Sequence, residues 1–529
     1  MAIGEVASDL VTISLKLVTL KNIGLLCLAY LICKAVSQIV YYRFIHPLKQ
    51  FPGPFWASVT RIWYAWHNAA ENEIRTSWEL VKKHGKVVRL TPTLLLVSSA
   101  EYLPLIYHRT SVKSKFYITG SFGETESVFN MQPHAAHAYH RKLIAGPYSF
   151  SKISKTEPLV DIQIAAWIKK LDDQFAQTGQ PFNFASWAIY VAYDIISEVG
   201  FGKALGFIEK GEDVGGLIAA FHTGMPIAGF MARLYPLTEW VKSTWVGKYL
   251  VASPEQDFGI GILMQWRDKL VDGRKREMEE GKSTHRVDLL QAFLDARTAD
   301  GEPLDLDYVR AEVLLILLAG SDTTGTAFGA VVTYILGSPA VYERMINEID
   351  SAAASGLLSS PIPRYTEVSE HCPFFVACVK ESIRLCPSAP IALPRVVEHG
   401  QPPLIIEGKV IPVGTEVGCN PWIVHRDPAI YGPDAEQFRP ERWLDEGNAK
   451  LFDRCNLAFG YGSRGCLGKD LAMMELLKTP LVFFRTFKPT YCKPSKEMPG
   501  PPKPTVKGGI AIWNDIWITI ERRKVGLKV

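Results

Sequence analysis

The chain has 529 residues, 47% of them hydrophobic and 21% charged, and a net charge of +4. So much apolar material supplies a large core and excludes a disordered chain. The small net charge, with no lysine or arginine block, excludes a nucleic-acid groove.

Leu10 to Tyr42 is strongly apolar but interrupted by charge, and Asn22 to Cys33 is its longest charge-free run. That run is shorter than the ~20 residues a spanning helix needs. Lys34 can snorkel to the interface, so Ile23 to Tyr42 is expected to cross a membrane as one helix. No small-x-small cleavage site follows. Arg43 and Lys49 form the basic flank of a cytoplasmic side. Phe51-Pro52-Gly53-Pro54 then ends any helix and predicts a stiff turn.

Val87 to Leu90 and Leu94 to Val97 alternate around Thr91-Pro92-Thr93 and predict a pair of short strands. His134, His137 and His140 recur every three residues before Arg141, a spacing a metal cluster also uses. Helical periodicity runs over Asp161 to Phe175 and again over about Asp307 to Leu336, where Gly337 and Pro339 are stop signals. Inside this second, apolar helix lies Ala319-Gly320-Ser321-Asp322-Thr323-Thr324, an unusual place for an acid and two threonines. Glu381 and Arg384 share a helix face by their spacing. Leu404 to Ile411, turning at Glu407-Gly408, predicts a small hairpin. The pattern is a mainly helical protein with small sheets, without linkers or repeats after residue 55.

Chemistry concentrates in Phe459-Gly-Tyr-Gly-Ser-Arg-Gly-Cys-Leu-Gly468. Gly460, Gly462 and Gly465 match G-x-G-x-x-G, but no βαβ unit surrounds them and no acid lies between Leu476 and Lys496, so a dinucleotide loop is set aside. The glycines allow a tight loop close to a flat ligand. Arg464 is spaced to meet a carboxylate, and the helix beginning after Gly468 turns its N-terminus toward Cys466, which favours a thiolate. The other eight cysteines, with no C-x-x-C pair among the nine, are expected to be free thiols of a reducing, cytosol-facing compartment.

F-G-x-G-x-R-x-C-x-G resembles the haem-binding signature of the cytochrome P450 superfamily, and every fixed position matches. The resemblance covers about residues 41 to 525. It implies the cytochrome P450 fold: residues 1–50 as membrane anchor and hinge, and 51–529 as a triangular helical haem domain. It makes Cys466 the axial ligand of haem b, with Arg464, Arg141, Arg395, His137 and Phe459 around the haem. Family members often have tryptophan where His137 stands, four residues before Arg141. Ala-Gly-x-Asp-Thr-Thr is similar to the family's oxygen-activating helix, so Asp322 and Thr323 would deliver protons for oxygen activation. Phe438-Arg-Pro-Glu-Arg-Trp443 looks like the family's P-E-R-F element, which joins Arg442 to Glu381 and Arg384 in a buried structural triad.

By family position, substrate contacts would come from Phe116 to Phe129, Phe221 to Met231, Leu315 to Ala319, Ala389 to Leu393 and Ile512 to Asn514. Tyr41 to Pro54, Ala145 to Ser149 and Pro421 to Pro428 are similar to fungal microsomal members of the pisatin demethylase and benzoate hydroxylase branches. The implied activity is oxidation of a hydrophobic small molecule, as in fungal secondary metabolism. Electrons would come from NADPH through a separate cytochrome P450 reductase, on the cytosolic face of the endoplasmic reticulum. A haem-thiolate isomerase or dehydratase that does not use dioxygen, and a membrane-anchored haem protein that is not an enzyme, stay open as alternatives. The Asp322–Thr323 pair argues against both.

Overall fold

The structure is a computed structural model. It describes residues 2–119, 125–249, 251–282, 288–495, 498 and 502–524. A long helix, α1 (Ala2–Val40), continues into a wider turn at Tyr41–Ile45. Lys21 to Ile45 has a mean hydropathy of 2.0 with none of its most apolar window buried against the protein. At ~1.5 Å per residue these 25 residues exceed a ~30 Å hydrocarbon core. The Phe51–Pro54 turn is stiff and also pinned: Leu48 and Phe51 are buried, and the Pro52 carbonyl accepts from the Arg89 amide at 2.8 Å.

The elements that build the site follow in chain order. They are α2 (Ile62–Ala69), β1 (Val87–Arg89), β2 (Leu94–Val97), β3 (Val112–Lys113), α3 (His134–Ile144), α4 (Glu157–Leu171), α5 (Phe184–Phe201), α6 (Leu217–Arg233), α7 (Ile260–Glu279), α8 (Leu306–Leu336), α9 (Pro373–Leu385), β4 (Arg395–Val396), β5 (Glu416–Gly418), α10 (Lys469–Thr486), β6 (Thr505–Lys507) and β7 (Ile510–Ile512). The periodicity over Asp161 to Phe175 becomes α4 four residues early, with Pro158 in its first turn, and a π-turn at Asp172–Ala176.

The five strands from β1 to β5 form one sheet in the order β1-β2-β5-β4-β3. Its β2–β5 pair is parallel and the rest antiparallel. The predicted Ile405–Ile406 and Lys409–Val410 hairpin stands apart, and β6–β7 is another separate hairpin.

The core forms around α5 and α8. Val191, Ile195 and Val199 of α5 are fully buried, as are Leu317, Val331 and Ile335 of α8. Each such side chain contributes about 1.5–3 kcal/mol by leaving water. Gly320 and Gly325 let the two helices touch: a Cβ there would lie 2.6 Å from Ile196 and 2.8 Å from Ile189. Although α6 and α8 are also long and apolar enough to cross a membrane, α8 is core, and α6 is tied inward by its buried Arg233, ion-paired to Glu73 at 2.6 Å.

Candidate active site

Cys466 sits where the glycine loop meets α10. The Cys466 amide donates to the Phe459 carbonyl at 2.8 Å and the Gly460 amide to Leu457 at 3.0 Å, which closes the loop on itself. Gly460 (φ 71°) and Gly462 (φ 64°) take left-handed backbone, and a Cβ on Gly462 would overlap the Tyr107 carbonyl at 2.3 Å. Gly465 departs from the expectation: its φ is −60°, ordinary extended backbone, so only two of the three glycines are needed for the turn. Phe459 lies half-buried against the main core.

Cys466 is an exposed residue. Burial pushes its thiol above the ordinary value and outweighs the Gly468 amide, Arg141 and Lys469, which pull it down. Gly468 is the N-cap of α10, so the helix end faces the sulfur as the sequence predicts.

Beside the loop is a set of buried cations. Arg464 (8% exposed) donates to the Met131 and Gln132 carbonyls at 2.5 and 2.7 Å, and Arg395 (5%) donates to the Tyr117 hydroxyl at 3.3 Å. The Nε of each is buried without a hydrogen-bond partner. Lys113, a residue the sequence reading passed over, is Arg395's direct cross-strand partner in the β3–β4 register. It donates to the Phe129 carbonyl. Like charges directly opposite are destabilising in a sheet. Burial first, then Arg395, Arg464 and Arg141, push the Lys113 ammonium well down. His137 is buried, and burial, then Arg464, Lys113 and Arg141, push it down to about 3. Arg141 is half-buried nearby.

Among the described residues, no acid pairs with Lys113, Arg141, Arg395 or Arg464. Unspent donors and uncompensated charge of this kind suit a dianion, and two propionates of haem beside a thiolate are such a group. The residues present fit it. His134, His137 and His140 are no metal cluster: among the described residues none is formed.

On α8 the accessible positions in an otherwise buried stretch are Leu315, Ala319, Gly320 and Thr323. Leu315, Ala319 and Thr323 are spaced by four and share one face. Thr323 Oγ1 donates back to the Ala319 carbonyl at 2.6 Å, and its own carbonyl accepts from Ser388 Oγ at 2.6 Å. Asp322 points the other way and is 1% exposed.

The triad residues come together. Glu381 is fully buried and accepts from Arg384 Nε and Nη2 at 2.8 and 2.9 Å and from Arg442 Nε at 2.8 Å. It also accepts from Trp443 Nε1 and the Arg439 amide at 2.9 and 3.0 Å. Burial pushes its carboxyl up, but Arg384 and Arg442 outweigh burial and hold it below the ordinary range. His425 carries this rigidity to the loop. Its Nδ1 donates to the Arg384 carbonyl at 3.0 Å, and its Nε2 accepts from the Leu457 amide at 2.9 Å. Only the neutral Nδ1–H tautomer makes both bonds. The sequence reading had no signal for this bridge, because its partners are 41 and 32 residues away.

The expected substrate segments divide. Residues 120–124 lie outside the described residues. Phe221 is buried in a side cluster with α5 and α7. Ile512 and Trp513 are core, with Trp513 Nε1 bonded to the Thr326 carbonyl at 3.0 Å. The β6–β7 hairpin meets the expected segments at its tip instead. Gly508 packs under Gly229 of α6, and Gly509 faces Ile391.

Comparison with known proteins agrees with this architecture. The family model described as Cytochrome P450 matches residues 41–511. Quiannulatic acid synthase of Emericella variicolor is 39% identical over 97% of this chain and 97% of its own length. The cytochrome P450 monooxygenase gsfF of Penicillium aethiopicum is 33% identical over 87% and 92%. Pisatin demethylase of Fusarium vanettenii is 28% identical over 85% of each. A glycine loop presenting Cys466, a buried cationic cradle and a helical core around α8 therefore belong to a member of the cytochrome P450 family, a monooxygenase of the fungal secondary-metabolite type.

Proposed function

We propose that the protein holds haem b through Cys466 and oxidises a hydrophobic small molecule with dioxygen and electrons from NADPH, delivered by a separate reductase. The observation that carries this reading is the exposed Cys466 beside three buried cations and the half-buried Arg141, none with an acid partner among the described residues. Lys113, Arg141, Arg395 and Arg464 would hold the propionates. Bound haem supplies the redox centre at which dioxygen is activated and an oxygen atom is passed to substrate. Thr323, on the accessible face of α8, holds a proton at Oγ1. Asp322, its neighbour, passes protons toward it.

Apolar Leu315 and Ala319 favour an apolar substrate on the same face. The relative named for making an acid supports an oxidation that reaches a carboxylic acid on such a scaffold. The apolar Lys21–Ile45 helix supports anchorage in the endoplasmic reticulum membrane with the haem domain in the cytosol.

Two measurements test the reading. Cys466→Ser abolishes the red-shifted Soret band of the reduced carbonyl complex; a retained band refutes the ligand. Thr323→Ala keeps haem and raises peroxide formed per NADPH; unchanged coupling refutes its role.

A further inference from the structure

Among the described residues, the hydrogen bonds of the acid beside Thr323 lead toward water by one branch. Asp322 Oδ2 accepts from the Tyr193 hydroxyl at 3.2 Å. Tyr193 is fully buried in α5, so that branch ends in the core. Asp322 Oδ1 receives His222 Nε2 at 2.5 Å. The His222 side chain, on α6, keeps 23% of its surface exposed, against 1% for Asp322. The flanks are shut. Ser321 and Thr324 turn their hydroxyls back to the Leu317 and Gly320 carbonyls, and α5 lies against Gly320 and Gly325 too closely for a Cβ. Asp213, the acid at the start of α6, is occupied in capping the Ile218 and Ala219 amides at 3.0 and 2.9 Å.

We propose that His222 is the residue through which protons from solvent reach Asp322. Water protonates the ring at Nδ1, the ring gives its Nε2 proton to Asp322 Oδ1, and the protonated carboxyl then turns about its side-chain bonds, leaving His222, to release that proton on the Thr323 side. The carboxylate is then restored, and the neutral ring resets by turning over or by exchange with solvent. One proton enters and one leaves, and no electron moves. His222 acts through Asp322 and touches no reacting atom. Because it stands on α6, the relay is complete only while α6 is seated on α8. The inference rests on the reading of Asp322 and Thr323 given above.

The test needs no substrate. Full-length haem-loaded enzyme is supplied with reductase, NADPH and dioxygen, and its uncoupled turnover is divided between peroxide (one NADPH per dioxygen) and water (two). His222→Gln keeps a hydrogen bond to Asp322 but cannot relay. It should lower the water-forming rate on the order of 10²-fold, raise the peroxide share and enlarge the solvent deuterium isotope effect. Asp322→Asn added to it should lower the rate no further.

Thermal unfolding is read on a second set of variants. His222→Phe should lower the melting temperature in the parent but not in an Asp322→Ala background, which shows the pair in the folded protein independently of turnover. Parental rate and isotope effect in His222→Gln, or losses that multiply in the double variant, overturn the proposal. If Asp322→Asn and Thr323→Ala are also silent, the oxygen-activation reading itself fails. If they are impaired and His222→Gln is not, only the His222 assignment fails.

Discussion

Replacing Glu381 with glutamine removes the shared anion from a site that holds two buried cations. Arg384 and Arg442 expose 1% and 2% of their side chains, and Glu381 is their shared counter-ion. The carboxylate accepts five hydrogen bonds, whereas the amide turns an N–H₂ toward donors. Breaking a buried pair from one side costs about 3–5 kcal/mol, because the remaining charge stays buried. Backbone carbonyls of His425, Ala435 and Tyr431 still solvate the guanidiniums, so the lower part of that range is expected. A chain of this size unfolds with an entropy of about 1 kcal/mol/K, so the lower part of that range translates to a melting temperature lower by about 3–4 °C.

The assay is thermal loss of the Soret band, with haem content measured alongside. The control is Arg75→Gln, which breaks an exposed pair with Glu79 (84% and 61% exposed) worth at most about 1 kcal/mol. If Glu381→Gln melts within about 1 °C of that control with full haem content, the triad does not hold the core.

Acid should destabilise the protein through His425, whose pKa burial and Arg384 push down to about 3. Unfolded histidine titrates near 6.5, so stability is full above pH 6.5 and falls as pH drops toward 3. The slope is about 1.4 kcal/mol per unit, or about 2 kcal/mol lost by pH 5. A His425→Phe variant whose pH slope equals the parent's would refute this, whatever its absolute stability. Lys113→Met should weaken haem retention about 10- to 100-fold, the worth of one charge-assisted hydrogen bond, measured by transfer of haem to an acceptor globin; parental retention would remove Lys113 from the cradle. Deleting residues 1–45 should release most of the protein from membranes in a flotation assay. Some adhesion should persist through exposed Trp56, Ile62, Trp66 and Trp240, and full retention would show that the helix is not the main anchor.

The parts legible in the sequence were those whose chemistry is packed into short runs. Cys466, Arg464 and their glycines lie within seven residues, and Glu381 and Arg384 within one helical turn. Asp322 stood out as an acid inside an apolar helix. The parts that were not legible are made by folding. Lys113 is a lone lysine in a two-residue strand, and only the β3–β4 register sets it against Arg395. His222 meets Asp322 across 100 residues, and a histidine on an amphipathic helix reads as surface. The hairpin tip was misjudged by a few residues because β7 carries Ile512 and Trp513 into the core before the chain reaches Asn514.

The opposition of Lys113 and Arg395 has a consequence for how the protein comes into being. Two buried cations held in register repel each other until an anion lies between them. If haem propionates lie there as proposed, a newly made chain carries a built-in penalty that the prosthetic group would lift. Cofactor and polypeptide then stabilise each other by mass action, and unloaded copies are the ones that open and meet proteases. In a producing cell the amount of this protein should follow haem supply as closely as it follows messenger RNA.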